Sequence, residues 1–195
     1  MLDVHSIVQT CASEIHPQTM LRVIAVESTG NPHAIGVVDG KLEWQPTNRA
    51  EALATARMLE RHGFNYSVGL GQVNKKNFAK YGVTLEQAFD PCTNLRVASA
   101  ILKDCYLRAK GGKATKQDIQ RALRDAFSCY YSGNFSAGYR LGYVKKVVSA
   151  VPVISSTPVS YTHLRAHETV LDIVCRLLLE KKKKKIPDTR RNLLN

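Results

Sequence analysis

The chain has 195 residues, of which 44% are hydrophobic and 23% are charged, and this composition excludes a fully disordered or fibrous protein. No apolar run approaches the roughly 18–20 residues that cross a bilayer, so a membrane span is not expected. The 28 Lys and Arg residues exceed the 16 Asp and Glu residues to give a net charge of +12, as in many proteins that bind nucleic acids or anionic surfaces. No nucleic-acid-binding motif accompanies this charge, so a nucleic-acid partner is not expected.

The first 16 residues show no basic segment followed by an apolar one, so no secretory signal is visible. A helix is predicted to begin at Pro17, because proline is favoured in the first turn. Met20, Val23 and Ile24 follow at helical spacing, and Gly30 ends the pattern.

The next segment has the features of β-structure. Asp39 and Gly40 lie between two short apolar runs, which predicts a β-hairpin over residues 37–42. Residues 64–73 contain several glycines and are predicted to be extended.

Helices are predicted over most of the remaining chain. They are Asn48–His62, Asn74–Lys80, a helix opened by a capping box at Thr84 and Gln87, Pro91–Lys110, a helix from Thr115 towards Tyr131, and Gly138–Ala150. The sequence therefore predicts one domain over residues 1–157, of the α+β class and mainly α-helical.

Residues 158–195 differ in character from this domain. Nine Lys or Arg residues and four Asp or Glu residues lie within Val159–Asn195, so the first 158 residues keep a net charge of +7. Val159–Thr169 is similar to the translation of a transposase sequencing adapter, and Val174–Lys181 resembles the other end of the same adapter. We therefore predict that residues 158–195 are a non-native, disordered tail with adapter read-through over residues 159–185, and the alternative is a genuine basic helix.

Four cysteines lie in the predicted domain: Cys11, Cys92, Cys105 and Cys129. Their spacing matches no zinc or redox motif, so either disulfide bonds in an oxidising compartment or buried free thiols would explain them. Cys105 and Cys129 fall in successive predicted helices and are the first candidates for a bridge.

Glu27 lies on the apolar stripe of the first predicted helix, three residues after Ile24 and four after Val23. Burial and the negative end of the helix dipole both disfavour a charged carboxyl group and raise its pKa. A general acid needs this protonated state near neutral pH. The alternative is a glutamate at the edge of the stripe that turns to solvent.

Four motifs occur in an order and spacing that resemble the lytic transglycosylase family, and especially its members that accompany type IV secretion and conjugation systems. Each motif is weak alone, but the resemblance covers about Pro17–Val148. The motifs are Glu27-Ser28-x-x-Asn31-Pro32, Gly69-Leu70-Gly71-Gln72-Val73-Asn74, Pro91-Cys92-x-Asn94-Leu95 and Tyr130-Tyr131-Ser132-Gly133-Asn134.

This resemblance implies a lysozyme-like fold and cleavage of the β-1,4 bond between N-acetylmuramic acid and N-acetylglucosamine in peptidoglycan. The family forms 1,6-anhydromuramyl ends without a cofactor or metal, and the resemblance places this chain in the periplasm or cell envelope with type IV secretion components as candidate partners.

In this resemblance Glu27 takes the position of the catalytic acid. The residues matched to substrate-binding positions are Ser28, Ser67, Gly69, Leu70, Gln72, Asn74, Tyr130 and Tyr131. The chain departs from the family pattern at Tyr131, where Asn is usual, and at Gly71, where Met or Ala is common.

Two other functions remain open at this point. A hydrolytic lysozyme of the same fold would need a second carboxylate, for which Asp39, Glu43 and Asp90 are candidates. A non-catalytic peptidoglycan-binding assembly factor would need no acid at all.

Overall fold

The computed structural model describes residues 2–112 and 115–152, which form one mainly α-helical unit with a small sheet. The α-helices of this part are α1 (Val4–Cys11), α2 (Pro17–Glu27), α3 (Arg49–Arg61), α4 (Phe78–Tyr81), α5 (Leu85–Ala88), α6 (Pro91–Lys110), α7 (Lys116–Ser132), α8 (Ala137–Arg140) and α9 (Tyr143–Ser149). A 3₁₀ helix, Lys75–Asn77, precedes α4, and the strands are β1 (Ile35–Val37), β2 (Tyr66–Val68) and β3 (Val73–Asn74).

The mainly α-helical α+β class is thereby confirmed. In the described ranges, every helix is too short or too polar to cross a membrane. The predicted tail over residues 158–195 lies outside the described residues.

The longest helix, α6, begins and ends where local chemistry dictates. Asp90 caps it, since its side chain accepts a hydrogen bond from the backbone N–H of Thr93 at 2.8 Å. Pro91 occupies the first turn, and Gly111 ends the helix with a φ of 51°. Its buried face packs along α7 and contributes many residues of the hydrophobic core. This packing sets the positions of the two helices, both of which carry residues of the site described below.

The sheet is antiparallel in the order β1-β2-β3. Ile35 lies opposite Val68, and Val68 also lies opposite Val73. All three side chains are buried, which fixes the register because a slip by one residue would expose them.

The hairpin predicted over residues 37–42 is wrong. A turn does form there, with Asp39 at a φ of 59°, but β1 pairs with β2 rather than with the residues that follow the turn. The β-hairpin of this fold is instead formed by β2 and β3, around Gly69–Gln72.

Two helices also differ from the prediction. The helix expected over Gly138–Ala150 is divided into α8 and α9, because Gly142 adopts a left-handed conformation with a φ of 75°. The helix α1 was not predicted; it packs on α2 and α6 through Val4 and Val8.

Two disulfide bonds join distant parts of the chain. Cys105 bonds to Cys129, which confirms the expected bridge and ties α6 to α7. Cys11 bonds to Cys92 and ties the end of α1 to the start of α6.

Candidate active site

A groove of about 820 Å³ runs between the sheet and the helices α4, α6 and α7. Its lining includes Glu27 from α2, Gly36 and Asp39 from the region of β1, Ser67, Gln72 and Asn74 from the hairpin, Lys80 and Arg108 from α4 and α6, and Tyr130 and Tyr131 from α7.

Glu27 is the last residue of α2, and its half-buried side chain lines the groove. The helix is held in place beneath it by Val23 and Ile24, which are fully buried. Burial raises the pKa of Glu27 to about 7, and a hydrogen bond from Tyr143 opposes this effect. The predicted burial and raised pKa are therefore confirmed, and a large share of Glu27 is protonated at neutral pH.

Two tyrosine hydroxyl groups lie close to this carboxyl group. The hydroxyl of Tyr143, on α9, donates a hydrogen bond to Oε1 of Glu27 at 2.5 Å. The hydroxyl of Tyr130, on α7, donates to the carbonyl oxygen of Gly71 at 2.5 Å. Burial, together with the nearby charge of Glu27, raises the pKa of both tyrosines well above the usual value, so both remain hydrogen-bond donors.

The turn between β2 and β3 presents Gln72 to the groove. Gln72 has a φ of 48°, and its side-chain amide donates to the carbonyl oxygens of Ala34 and Gly69, both at 3.0 Å. A Cβ atom at Gly36 would lie 2.7 Å from Oε1 of Gln72, so glycine at position 36 leaves room for this side chain. Two backbone carbonyl groups therefore hold the amide nitrogen of Gln72 in place.

Six of the predicted site residues meet at the groove: Glu27, Ser67, Gln72, Asn74, Tyr130 and Tyr131. Within this set, Asn74 donates from Nδ2 to the hydroxyl oxygen of Ser67 at 3.2 Å. The structure thus brings together residues that are up to 104 positions apart in the sequence.

The other three predicted site residues lie in the supporting structure rather than in the lining of the groove. Leu70 is fully buried, and its carbonyl oxygen accepts a hydrogen bond from the hydroxyl of Ser28 at 2.8 Å. Gly69 has a φ of 76° and packs against Asn94, where a side chain would clash. These contacts give Ser28, Gly69 and Leu70 the role of shaping the turn that carries Gln72.

The candidate second carboxylates are dispersed. Asp39 is exposed on the turn after β1 and lines the groove. Asp90 is occupied as the cap of α6, and Glu43 is exposed and outside the lining. The groove also contains Asp104, which was not predicted and which pairs with Arg108 at 3.2 Å.

Two residues of the site were missed by the sequence analysis. Asn94 belongs to the motif Pro91-Cys92-x-Asn94-Leu95, but the sequence analysis assigns it no role. Tyr143 lies in the predicted helix Gly138–Ala150 and belongs to none of the motifs. The one available indication for Tyr143 was a polar aromatic residue on the apolar stripe formed with Val144 and Val147. Within residues 2–112 and 115–152, no group of three or more His, Cys, Asp or Glu side chains is arranged to hold a metal ion.

Comparisons of the sequence with a family model and with known proteins agree with each other. The family model described as the transglycosylase SLT domain matches residues 5–147. The type IV secretion system protein virB1 of Brucella abortus is 49% identical over 165 residues, which cover 77% of this chain and 68% of that protein. The protein virB1 of Agrobacterium fabrum is 36% identical over 154 residues, covering 76% of this chain and 60% of that protein. No solved structure matches the chain.

Proposed function

The chain belongs to the transglycosylase SLT domain family, and from this premise we propose that Glu27 is the acid and base with which it cleaves peptidoglycan. The family and the virB1 relatives support the activity of a peptidoglycan lytic transglycosylase on a lysozyme-like fold. The observation that carries the assignment of Glu27 is a carboxyl group with its pKa raised by burial to about 7, in the lining of the groove.

In the first step, the protonated carboxyl group of Glu27 donates its proton to the glycosidic oxygen. Tyr143 donates to Oε1, which leaves Oε2 to carry that proton. The bond between C1 of the muramyl residue and the glycosidic oxygen breaks, and the leaving sugar departs with a new hydroxyl group. The positive charge at C1 is stabilised by the N-acetyl group of the substrate itself, so a second protein carboxylate is not required.

In the second step, Glu27 is a carboxylate and removes the proton from the C6 hydroxyl of the same muramyl residue. The C6 oxygen then bonds to C1 and closes the 1,6-anhydro ring. Glu27 ends the cycle protonated, so the proton lost in the first step is recovered and no water is consumed. A pKa near neutrality suits this role, because the same group must both donate and accept a proton.

A hydrolytic outcome would need another carboxylate to stabilise the centre or to activate water. Among the described residues that line the groove, Asp104 is engaged by Arg108 and by Lys80, at 3.2 and 3.9 Å. Asp39 is exposed on a surface turn, where water screens its charge. This arrangement favours the transglycosylase, and the mass of the products separates the two outcomes by one water.

The cellular setting is part of the proposal. The relatives named as type IV secretion proteins support a role in opening the wall locally for a type IV secretion or conjugation apparatus. Two disulfide bonds support a location in the periplasm or cell envelope, where such bonds persist. The net charge of +7 on the first 158 residues would attract an anionic wall.

The experiment is digestion of purified peptidoglycan by the full chain, followed by mass spectrometry of the sugars. We expect 1,6-anhydromuramyl products, and we expect Glu27→Gln to lower turnover by about 10²–10⁴-fold while it still binds peptidoglycan. Glu43→Gln is the matched control, since it makes the same chemical change at an exposed residue outside the groove. Products with reducing ends would establish a hydrolase, and binding without cleavage by the parent would establish an assembly factor.

A further inference from the structure

The ring of Tyr131 stacks on the ring of Tyr143, with 4.6 Å between the ring centroids and 19° between the planes. Tyr143 is 5% exposed, whereas Tyr131 is 48% exposed and lines the groove. Because the hydroxyl of Tyr143 donates to Glu27, three side chains from α7, α9 and α2 form a continuous series of contacts.

The two tyrosines lie on helices that differ in length and in covalent anchoring. Tyr143 is the first residue of α9, a helix of seven residues whose cap, Gly142, supplies no side-chain hydrogen bond. The N–H groups in the first turn of a helix have no intrahelical partners, so this turn depends more on side-chain contacts than the middle of a helix does. Tyr131 lies near the end of α7, a helix of 17 residues that the Cys105–Cys129 bond fastens to α6 two positions earlier.

We propose that Tyr131 is a positioning residue, whose stacked ring holds Tyr143 so that the Tyr143 hydroxyl stays on Oε1 of Glu27. The stacked arrangement restricts the tilt of the Tyr143 ring, and a small tilt at the ring is enough to move its hydroxyl out of hydrogen-bond range. This inference rests on the proposed role of Glu27, but its structural part is testable without any measurement of activity.

The consequence is a defined change in the titration of Glu27. Tyr143 from α9 and Tyr130 from α7 interact with the carboxyl group. Asp39 lines the same groove from the turn after β1. Arg22, on the same helix as Glu27, donates its hydrogen bonds to carbonyl groups at the end of α9 and not to Glu27. The hydrogen bond from Tyr143 stabilises the charged form, so its loss moves the pKa of Glu27 upward from about 7.

The test compares the full-length parent with Tyr131→Ala, Tyr131→Phe, Tyr143→Phe and the double variant Tyr131→Ala/Tyr143→Phe. The pKa of Glu27 is measured by NMR on protein with ¹³C-labelled glutamate carboxyl groups, and Glu27→Gln identifies the signal. We expect Tyr131→Ala to raise the pKa in the same direction as Tyr143→Phe. The double variant should show no further rise, and Tyr131→Phe, which keeps the ring, should keep the parental value.

Kinetics on peptidoglycan supply the second readout. Tyr131→Ala should lower kcat by about three- to tenfold with a smaller change in KM, and should move the alkaline limb of the pH profile to higher pH. Tyr131→Phe should restore both. Melting curves of all variants show whether each one is folded, and the half-exposed position of Tyr131 makes global unfolding by its removal unexpected.

Three results would overturn the inference. An unchanged Glu27 pKa in Tyr131→Ala beside a raised one in Tyr143→Phe would show that the stack does not position the hydroxyl. A rise in KM at constant kcat would make Tyr131 a substrate contact only. Additive pKa shifts in the double variant would show that the two residues act separately. Failure of the proposed function looks different, since the parent itself would then leave peptidoglycan intact whatever the NMR titration shows.

Discussion

Asn94 accepts a hydrogen bond from the backbone N–H of Gly71 at 2.8 Å, and through this contact α6 holds the turn that carries Gln72. The amide nitrogen of Asn94 donates to the carbonyl oxygens of Val68 and Ala88, each at 2.8 Å. Asn94 is 1% exposed, so three backbone groups depend on one buried side chain. Asn94 thus connects α6 to the turn between β2 and β3.

We expect Asn94→Ala to destabilise the protein by about 3 kcal/mol, because it leaves buried backbone groups without partners. Asn94→Asp should also destabilise, since it keeps an acceptor for Gly71 but loses both donors. Asn77→Ala is the control; Asn77 makes no side-chain cap bond to α4, and its loss should cost less than about 1 kcal/mol. Urea unfolding measures all three, and equal effects of Asn94→Ala and Asn77→Ala would contradict the assigned role of Asn94.

The sequence was most informative where structure is determined locally. The bounds of α6 follow from Pro91 at one end and Gly111 at the other, and the capping box of Thr84 and Gln87 is present as predicted. Glu27 could be predicted as a buried acid because its apolar neighbours on α2 share one face at a fixed spacing.

Contacts between distant segments could not be predicted in the same way. The turn at Asp39 favoured a local hairpin, but β1 pairs with Tyr66–Val68, about 30 residues later, because buried contacts across the sheet outweigh the turn. Tyr143 reaches Glu27 across a separation of 116 residues, and its place on the apolar stripe of α9 indicates burial but not this partner. The resemblance to a family located the groove residues, whereas only the fold separates Gln72 in the lining from Leu70 in the core.

The two disulfide bonds should differ in their response to a reductant. Cys92 is exposed, whereas Cys105 and Cys129 are each 2% exposed, so mild reduction without denaturant should open the Cys11–Cys92 bond first. Mass spectrometry after thiol alkylation would show two modified residues at the first stage. Preferential labelling of Cys105 and Cys129 would contradict this order.

Removal of the Cys11–Cys92 bond should also have a large effect on stability. This bond closes a loop with a sequence separation of 81, which in the chain-entropy model corresponds to about 4.5 kcal/mol. Cys11→Ser/Cys92→Ser should therefore melt well below the parent under oxidising conditions. A decrease in melting temperature of only a degree or two would show that contacts of α1 with α2 and α6 suffice without the bond.

We also expect that deletion of Val159–Asn195 leaves the melting temperature and the activity on peptidoglycan unchanged. The family match ends at residue 147, and the proposed domain ends at residue 157. Calorimetry and peptidoglycan digestion by the full chain and the truncated chain check this directly. A fall in the melting temperature by several degrees would show that the segment makes stabilising contacts and would contradict its interpretation as adapter read-through.

The free energy of unfolding should depend on pH because of the Glu27 carboxyl group. The pKa of Glu27 is raised to about 7 in the folded state, whereas a glutamate in an unfolded chain titrates at about 4.3. Between these values the unfolded chain has released the proton and the folded protein still holds it. The free energy of unfolding therefore falls as the pH rises through this interval, by roughly 4 kcal/mol in total, and the contribution of Glu27 is constant outside it.

The comparison of the parent with Glu27→Gln isolates this effect from other titrating groups. His16, for example, has its pKa lowered by burial and contributes a trend of opposite sign, but it is present in both proteins. At pH 4 the two proteins should be about equally stable, since protonated Glu27 and Gln are both neutral and similar in size. By pH 8 Glu27→Gln should be the more stable by roughly 4 kcal/mol, because it never places a charge in the buried position. Urea unfolding of both proteins at four pH values measures the difference, and a difference independent of pH would show that the Glu27 carboxyl group titrates as it does in water.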